Sequence, residues 1–260
     1  ILESRLVLLA TGGERQGFEL ATALGHRIVP PVPSLFTFHV ADPRLAGLAG
    51  LSVPDAHVAL PEWNLAQCGP VLITHWGVSG PAVIRLSAWA ARALAEAGYR
   101  ARLRINWLPA LAADDLVRRL QAERSAHPQR QLAAHDPIGL LPARLWRRLV
   151  ESCTPDSLTW AGASNRQLVQ LVETLTRGEY RLAGKSKFKE EFVTAGGVAL
   201  EEVDFRTMQS RVQPGLYLAG EALDVDGLTG GFNFQNAWTT GWIAAQACAA
   251  SLARSGSESG

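Results

Sequence analysis

The chain has 260 residues, 47% of them hydrophobic and 19% charged, with a formal net charge of +1. This composition excludes a disordered chain and supplies enough apolar side chains for packed cores. A net charge near zero gives no bulk attraction to nucleic acid or to a membrane surface, and neither is expected as a partner.

At ~150 residues per domain the length admits two ordinary domains. Cys68, Cys153 and Cys248 are odd in number and far apart. They show no metal-ligand spacing, so no metal site is expected and the thiols read as reduced, in a cytoplasmic protein. No leader pattern opens the chain, and its apolar stretches carry charges or fall short of the ~20 residues that span a bilayer. Residue 1 is Ile, and Met208 is the single methionine. The length is therefore read as that of a portion of a longer protein.

Leu6-Val7-Leu8-Leu9-Ala10 is a continuous apolar run, as expected of a strand buried on both faces. It ends at the turn signal Thr11-Gly12-Gly13, and Phe18 to Leu24 reads as a short helix stopped by Gly25. Val29-Pro30-Pro31-Val32-Pro33 cannot be helix or central strand and is taken as a crossing between domains. Short strands follow at Leu35 to Val40, His57 to Leu60, Val71 to Thr74 and Arg100 to Trp107. The last alternates, with Arg102, Arg104 and Asn106 opposite Leu103, Ile105 and Trp107. Ser79 to Ala97 reads as one helix, capped by Ser79 with Pro81 in its first turn.

Helices are expected at Leu111 to Glu123, Pro142 to Glu151 and Asn165 to Thr176, the last opened by the capping box Ser164-Asn165-Arg166-Gln167. Residues 101–150 hold nine arginines against four acids, a net charge of +5, read as a solvated face. All three lysines fall at 185–189, and the acid pairs Glu190-Glu191 and Glu201-Glu202 read as solvated. Gly215 to Gly220 is a buried strand, Asp224 to Phe234 a glycine-rich loop, and Gln235 to Ala253 a helix with Ala237, Gly241, Ala244, Ala245 and Cys248 on one side. Residues 255–260 read as a frayed tail.

The strongest chemical signal is Gly220 to Ala237: a strand ending in Gly-Glu, a loop rich in glycine, then a helix start. Glycines let a flat or charged ligand approach the backbone, and a helix N-terminus suits an anion. Glu221 can accept hydrogen bonds from sugar hydroxyls. The second signal is Thr74-His75-Trp76-Gly77-Val78-Ser79-Gly80-Pro81. His75 is the candidate for an acid/base group, while Ser79 lacks the Gly-x-Ser-x-Gly elbow of a nucleophile. The other histidines show no paired spacing and carry no assigned chemistry.

Ala10-Thr11-Gly12-Gly13, Thr74 to Pro81, Thr194-Ala195-Gly196-Gly197-Val198, Thr207-Met208-Gln209-Ser210 and Gly220 to Gln235 occur in this order. The series resembles the bacterial FAD-dependent flavoproteins that include aminoacetone oxidases and a bile-acid-pathway reductase, over about residues 5–250. The resemblance implies an α/β chain, α+β overall: a glutathione-reductase-like, Rossmann-like FAD/NAD(P)-binding domain interrupted by a β-barrel-like and helical insert. The implied boundaries are 1–34 for the FAD domain, 35–110 for a β-rich insert, 111–177 for a helical insert, 178–193 for the return, and 194–254 for the rest of the FAD domain.

The resemblance implies cofactor contacts from Thr11, Gly12 and Gly13 beside the dinucleotide. It implies others from Gly220, Glu221 and Asp224 along the ribityl and phosphate part. Gly230, Gly231, Asn233, Phe234 and Gln235 would lie at the isoalloxazine edge. Two departures stand out. The family opens on a strand–GxGxxG–helix unit that has no counterpart here, and Gly13-Glu14-Arg15-Gln16-Gly17-Phe18 is shorter than the family's loop. The expected function is an FAD-dependent oxidoreductase acting on a small organic substrate, with NAD(P)H a candidate electron donor. The alternative is a cofactor-free remnant serving as a binding or interaction module.

Overall fold

A computed structural model describes residues 4–184 and 192–257, with the side chains of 255–257 left aside. The lysine cluster at 185–189 and the pair Glu190-Glu191 lie outside the described residues, as do 258–260 of the expected tail. In chain order the elements are β1 (Val7–Leu9), α1 (Arg15–Ala23), β2 (Ile28–Ser34), β3 (Phe38–His39), β4 (Ser52–Leu60), β5 (Leu65–Ile73) and β6 (Gly77–Ser79). Then come α2 (Pro81–Trp89), α3 (Ala91–Glu96), β7 (Arg102–Asn106), α4 (Ala113–Ala126), α5 (Ala143–Glu151), α6 (Asn165–Arg177) and β8 (Gly178–Arg181). The chain closes with β9 (Val193–Val198), β10 (Val203–Asp204), β11 (Gln209–Ser210), β12 (Leu216–Leu218) and α7 (Phe232–Ser257).

The chain divides into two compact units, Ile1–Leu35 with Glu191–Gly260, and Phe36–Glu190. We call them the discontinuous and the continuous unit. In the discontinuous unit a four-stranded sheet has the order β1-β12-β11-β10. β1 and β12 are parallel, and the other pairs are antiparallel. β2 and β9 form a separate antiparallel ribbon, irregular between Val29 and Val32. The prolines there forbid a central strand, and an irregular ribbon tolerates their missing donors. A core of Leu9, Ala21, Val198, Met208, Leu216, Leu218, Leu223 and Ala244 joins sheet and helices.

β1 is less buried than its composition predicts: Leu9 is buried, while Val7 and Leu8 are 50% and 43% exposed. It lies at the edge of its sheet, and only β12 pairs with it among the described residues. α7 begins at Phe232 and runs to Ser257, three residues into the segment read as frayed. Of its small residues, Ala244 enters the core, whereas Ala237 and Ala245 face solvent.

The continuous unit holds a six-stranded antiparallel sheet in the order β3-β6-β5-β4-β7-β8. A further antiparallel bridge, Val40 to Leu182, joins the chain after β3 to the chain after β8. Helices α4, α5 and α6 share the core of this sheet through Leu116, Trp146 and Leu171. Buried Trp107 and Trp146 satisfy their indole N–H groups by donating to Tyr180 Oη at 3.1 Å and to the Leu132 carbonyl at 3.0 Å. The capping box opens α6 as its sequence predicts: Ser164 Oγ accepts from the Gln167 N–H, and Gln167 Oε1 accepts from the Ser164 N–H.

The helix expected over Ser79 to Ala97 is two helices. α2 ends at Trp89 and α3 starts at Ala91, with Ala90 at φ −97° and ψ 5°, outside the helical range. Ser79 is not the cap. It is the last residue of β6, its Oγ accepts from Thr37 Oγ1 at 3.0 Å, and Gly80 occupies the cap position.

Candidate functional site

β1 and β12 run in the same direction, Leu9 opposite Leu218, so both end at the same edge of the sheet. β1 leads into Ala10-Thr11-Gly12-Gly13, and β12 into Ala219-Gly220-Glu221. The Ala219 N–H donates to the Leu9 carbonyl at 3.1 Å and holds the two exits side by side. Loops diverge at the carboxyl ends of adjacent parallel strands, which is where open α/β sheets bind ligands.

The two exits meet at Glu221. Its Oε1 accepts the Thr194 N–H at 2.6 Å, bringing β9 to the same place. A Cβ at Gly13 would stand 2.5 Å from Thr194 Oγ1 and 3.3 Å from Glu221 Oε1, so only glycine lets the turn close this tightly. Thr11 Oγ1 fills the space left by the missing Cβ of Gly17 and packs the turn onto α1. Beside the turn lies a groove of about 560 Å3 lined by Gly13, Phe18, Ile28 and Pro31 among others.

The glycine-rich loop has internal bonds that its sequence does not disclose. The Asn233 side chain closes the loop: Oδ1 accepts the Gly227 N–H at 2.7 Å, and Nδ2 donates to the Gly227 carbonyl at 2.9 Å. Gly230 and Gly231, at φ +122° and +87°, make the turn into α7. The Gln235 N–H donates to the Gly231 carbonyl, so the N–H groups of Phe232, Asn233 and Phe234 precede the helical ladder. Gln235 Nε2 donates to Thr239 Oγ1 at 2.8 Å. The Gly220 N–H donates to Thr240 Oγ1 at 2.8 Å, which ties α7 to the Gly220 turn. The Asp224 N–H donates to the Val198 carbonyl.

Phe234 is 69% exposed, with its ring centroid 6.0 Å from that of Trp238. Trp238 and Trp242, 70% and 68% exposed, continue the same stripe at four-residue spacing. Thr11, Gly12, Gly13, Gly220 and Glu221 therefore meet at one sheet edge, and Gly230 to Gln235 form the turn into, and the first residues of, the helix bonded to that edge. His75 belongs to the continuous unit, exposed in the turn between β5 and β6, where the Thr74 N–H donates to the Gly77 carbonyl. Its neighbour Trp76 stacks on His39 at 6.5 Å.

One cluster was missed in the sequence. His26 Nδ1 lies 2.8 Å from Glu202 Oε2, and its Nε2 lies 2.8 Å from Ser210 Oγ. The order Glu–His–Ser is that of a nucleophilic triad. Ser210 Oγ, however, also accepts the N–H groups of Val212 and Gln213 at 3.0 and 2.7 Å, and the residue is buried. An oxygen so occupied clamps the turn after β11 and does not attack a substrate. The three residues are far apart in sequence, so only the folded register could reveal them.

The fold and site define a mixed α/β protein with a barrel-forming unit and a second unit whose parallel strands end in a glycine-lined edge. Residues 32–193, more than half of the chain, match the family described as HI0933-like protein barrel and H2TH domain. The chain belongs to this HI0933-like flavoprotein family. It is 34% identical over 258 residues to "Ribosomal RNA dihydrouridine synthase" of Escherichia coli, covering 92% of this chain and 60% of the relative. It is 32% identical over 255 residues to "3-dehydro-bile acid delta(4,6)-reductase" of Clostridium scindens, covering 94% of this chain and 62% of the relative. A "Ribosomal RNA dihydrouridine synthase" of Haemophilus influenzae is 31% identical over 264 residues, covering 95% and 60%. The chain thus spans about three fifths of the length of these curated relatives.

Proposed function

We propose that this chain is part of an FAD-dependent oxidoreductase and carries one wall of its cofactor site in a Rossmann-like domain. The observation behind the reading is the convergence of Gly12, Gly13, Gly220 and Glu221 at the ends of two parallel strands. The residues fit a dinucleotide. Gly12 and Gly13 would give close backbone approach, and Glu221 Oε2 would accept from sugar hydroxyls. The N–H groups before the helical ladder of α7 suit the negative charge that develops on a reduced flavin. Phe234 would offer a flat apolar face, while Asn233 holds the loop in shape rather than donating its amide to the cofactor. Bound FAD would accept an electron pair from a donor and pass it to the substrate.

The relatives' names support a narrower reading. Making dihydrouridine and reducing a delta(4,6) steroid both saturate a carbon–carbon double bond. The proposed reaction is addition of a hydride and a proton to such a bond, with NAD(P)H as the source of the electron pair.

The test is flavin content. The protein containing this chain is expected to be yellow and to keep FAD through gel filtration. Glu221→Gln keeps an acceptor for the Thr194 N–H but removes the charge. It is expected to weaken FAD binding about tenfold, the effect of one charge-assisted hydrogen bond. A folded, colourless protein that cannot be reconstituted with FAD overturns the proposal.

A further inference from the structure

The exposed face of β7 and β8 carries an unbalanced cluster of arginines. Arg102 of β7 is the register partner of Arg181 of β8. Like charges directly opposite on antiparallel strands repel and destabilise the pair. The next pair on the same face is complementary: Arg104 stands opposite Glu179, with Nη2 to Oε1 at 2.9 Å. The sheet therefore holds one matched pair and one repelling pair side by side.

Arg100 adds a third guanidinium to the repelling pair. Arg100, Arg102 and Arg181 line one groove of about 470 Å3, with Glu62 at its side. Glu62 Oε1 accepts from Arg102 Nε at 2.9 Å and neutralises one of the three charges. Arg100 and Arg181 form no ion pair among the described residues. Among the described residues lining it, the groove thus has a formal charge of +2 and two guanidinium forks without an acidic partner. Ala101, Leu182 and Ala183 also line it, and the Leu182 N–H donates to the Ala101 carbonyl at 3.0 Å.

A guanidinium fork matches the geometry of phosphate oxygens and can donate to them two at a time. The groove is open, and Arg102 is 55% exposed at its side chain. A single small anion gains little from such hydrated charges. A polyanion gains more, because each neutralised phosphate releases condensed counterions. We propose that the Arg100–Arg102–Arg181 groove binds the phosphodiester backbone of RNA. This goes beyond the redox reading of the discontinuous unit and departs from the expectation drawn from net charge. It does not depend on the chain holding FAD; RNA is chosen among polyanions because two relatives' names describe it for those proteins.

The experiment is fluorescence anisotropy with a short labelled single-stranded RNA at several salt concentrations, on wild type and on the double variant Arg100→Gln/Arg181→Gln. The double variant is expected to bind about tenfold more weakly at low salt. Losing two phosphate contacts is expected to reduce the slope of log affinity against log salt by about 1.4. Glu62→Gln is expected to tighten binding by freeing Arg102, and Arg181→Lys to keep most of the slope. A double variant with unchanged affinity and slope overturns the proposal, as does a wild type that binds no RNA at low salt. Displacement of RNA by inorganic phosphate at constant ionic strength also overturns it, since that outcome defines a single-anion site. Flavin absorbance of the same samples separates the two readings: arginine-dependent RNA binding by a protein that takes up no FAD sinks the redox proposal and leaves this one standing.

Discussion

Cys153 sits just beyond α5, its Sγ donating to the carbonyls of Leu149 and Val150 at 3.4 Å. Burial pushes its thiol up to about 11, although Thr174 pulls it down. Cys68 is exposed on β5. Since the thiolate is the reactive form, an aromatic disulfide reagent at pH 8 is expected to modify Cys68 first and Cys153 far more slowly. Cys68→Ser should remove the fast phase; equal rates at the two thiols would refute the argument. Met208 teaches a second lesson at this scale. Its backbone lies at φ +60°, its side chain is fully buried, and it turns the hairpin between β10 and β11. The sequence singled it out by rarity, but its burial and dihedral belong to the hairpin. Ser79 misled for a similar reason: a serine two residues ahead of Pro81 suits a helix cap, yet a strand pairing claimed the residue first.

Elements with strong local signals were legible. The capping box fixed the start of α6 at Asn165, because both of its hydrogen bonds are made within four residues. The break between α2 and α3 was not, since alanine favours helix on either side of Ala90. The loop after β3 is held by an ion pair that its spacing only hints at. Arg44 Nη2 lies 2.8 Å from Asp42 Oδ2 and also donates to the Glu179 carbonyl of β8, and its guanidinium lies 4.0 Å from the centroid of the Tyr180 ring. Burial alone would raise the Asp42 carboxyl, but hydrogen bonds from the Arg44 side chain and backbone outweigh it and hold the group below 3.8. A carboxyl depressed in the folded state contributes stability above the unfolded value, and that contribution is lost as pH falls through the folded value. The gap in Tm between wild type and Asp42→Asn is therefore expected to be full at neutral pH and to shrink below 3.8. A gap independent of pH would show that the charge does not stabilise the loop.

At the scale of the molecule, two separate cores carry the fold. That of the continuous unit is built on Trp107, Trp146, Trp160, Tyr180 and Leu171, and that of the discontinuous unit on Leu9, Met208, Leu218 and Ala244. Separate cores can melt separately. Leu171→Ala, at a fully buried site, is expected to cost about 2–5 kcal/mol and to lower only the calorimetric transition of the continuous unit. A single transition moved as a whole would show that the two cores unfold together. Among the described residues no helix is long and apolar enough to cross a membrane. At this scale a sum of +1 conceals two arginines placed opposite each other across a strand pair.

The order of motifs, the α/β character, the capping box and the glycine-rich approach to α7 were determined by the sequence alone, because each depends on residues close together in the chain. Tertiary structure alone decided which distant residues meet. Parallel pairing of β1 with β12 brings Gly13 to Glu221, and the β10–β11 hairpin sets Glu202 beside Ser210, where His26 bonds to both. β7–β8 pairing sets Arg102 against Arg181. Register is fixed by which faces the two cores bury, and a shift of one residue would send Ser210, Arg102 or Arg181 to the other side of its strand.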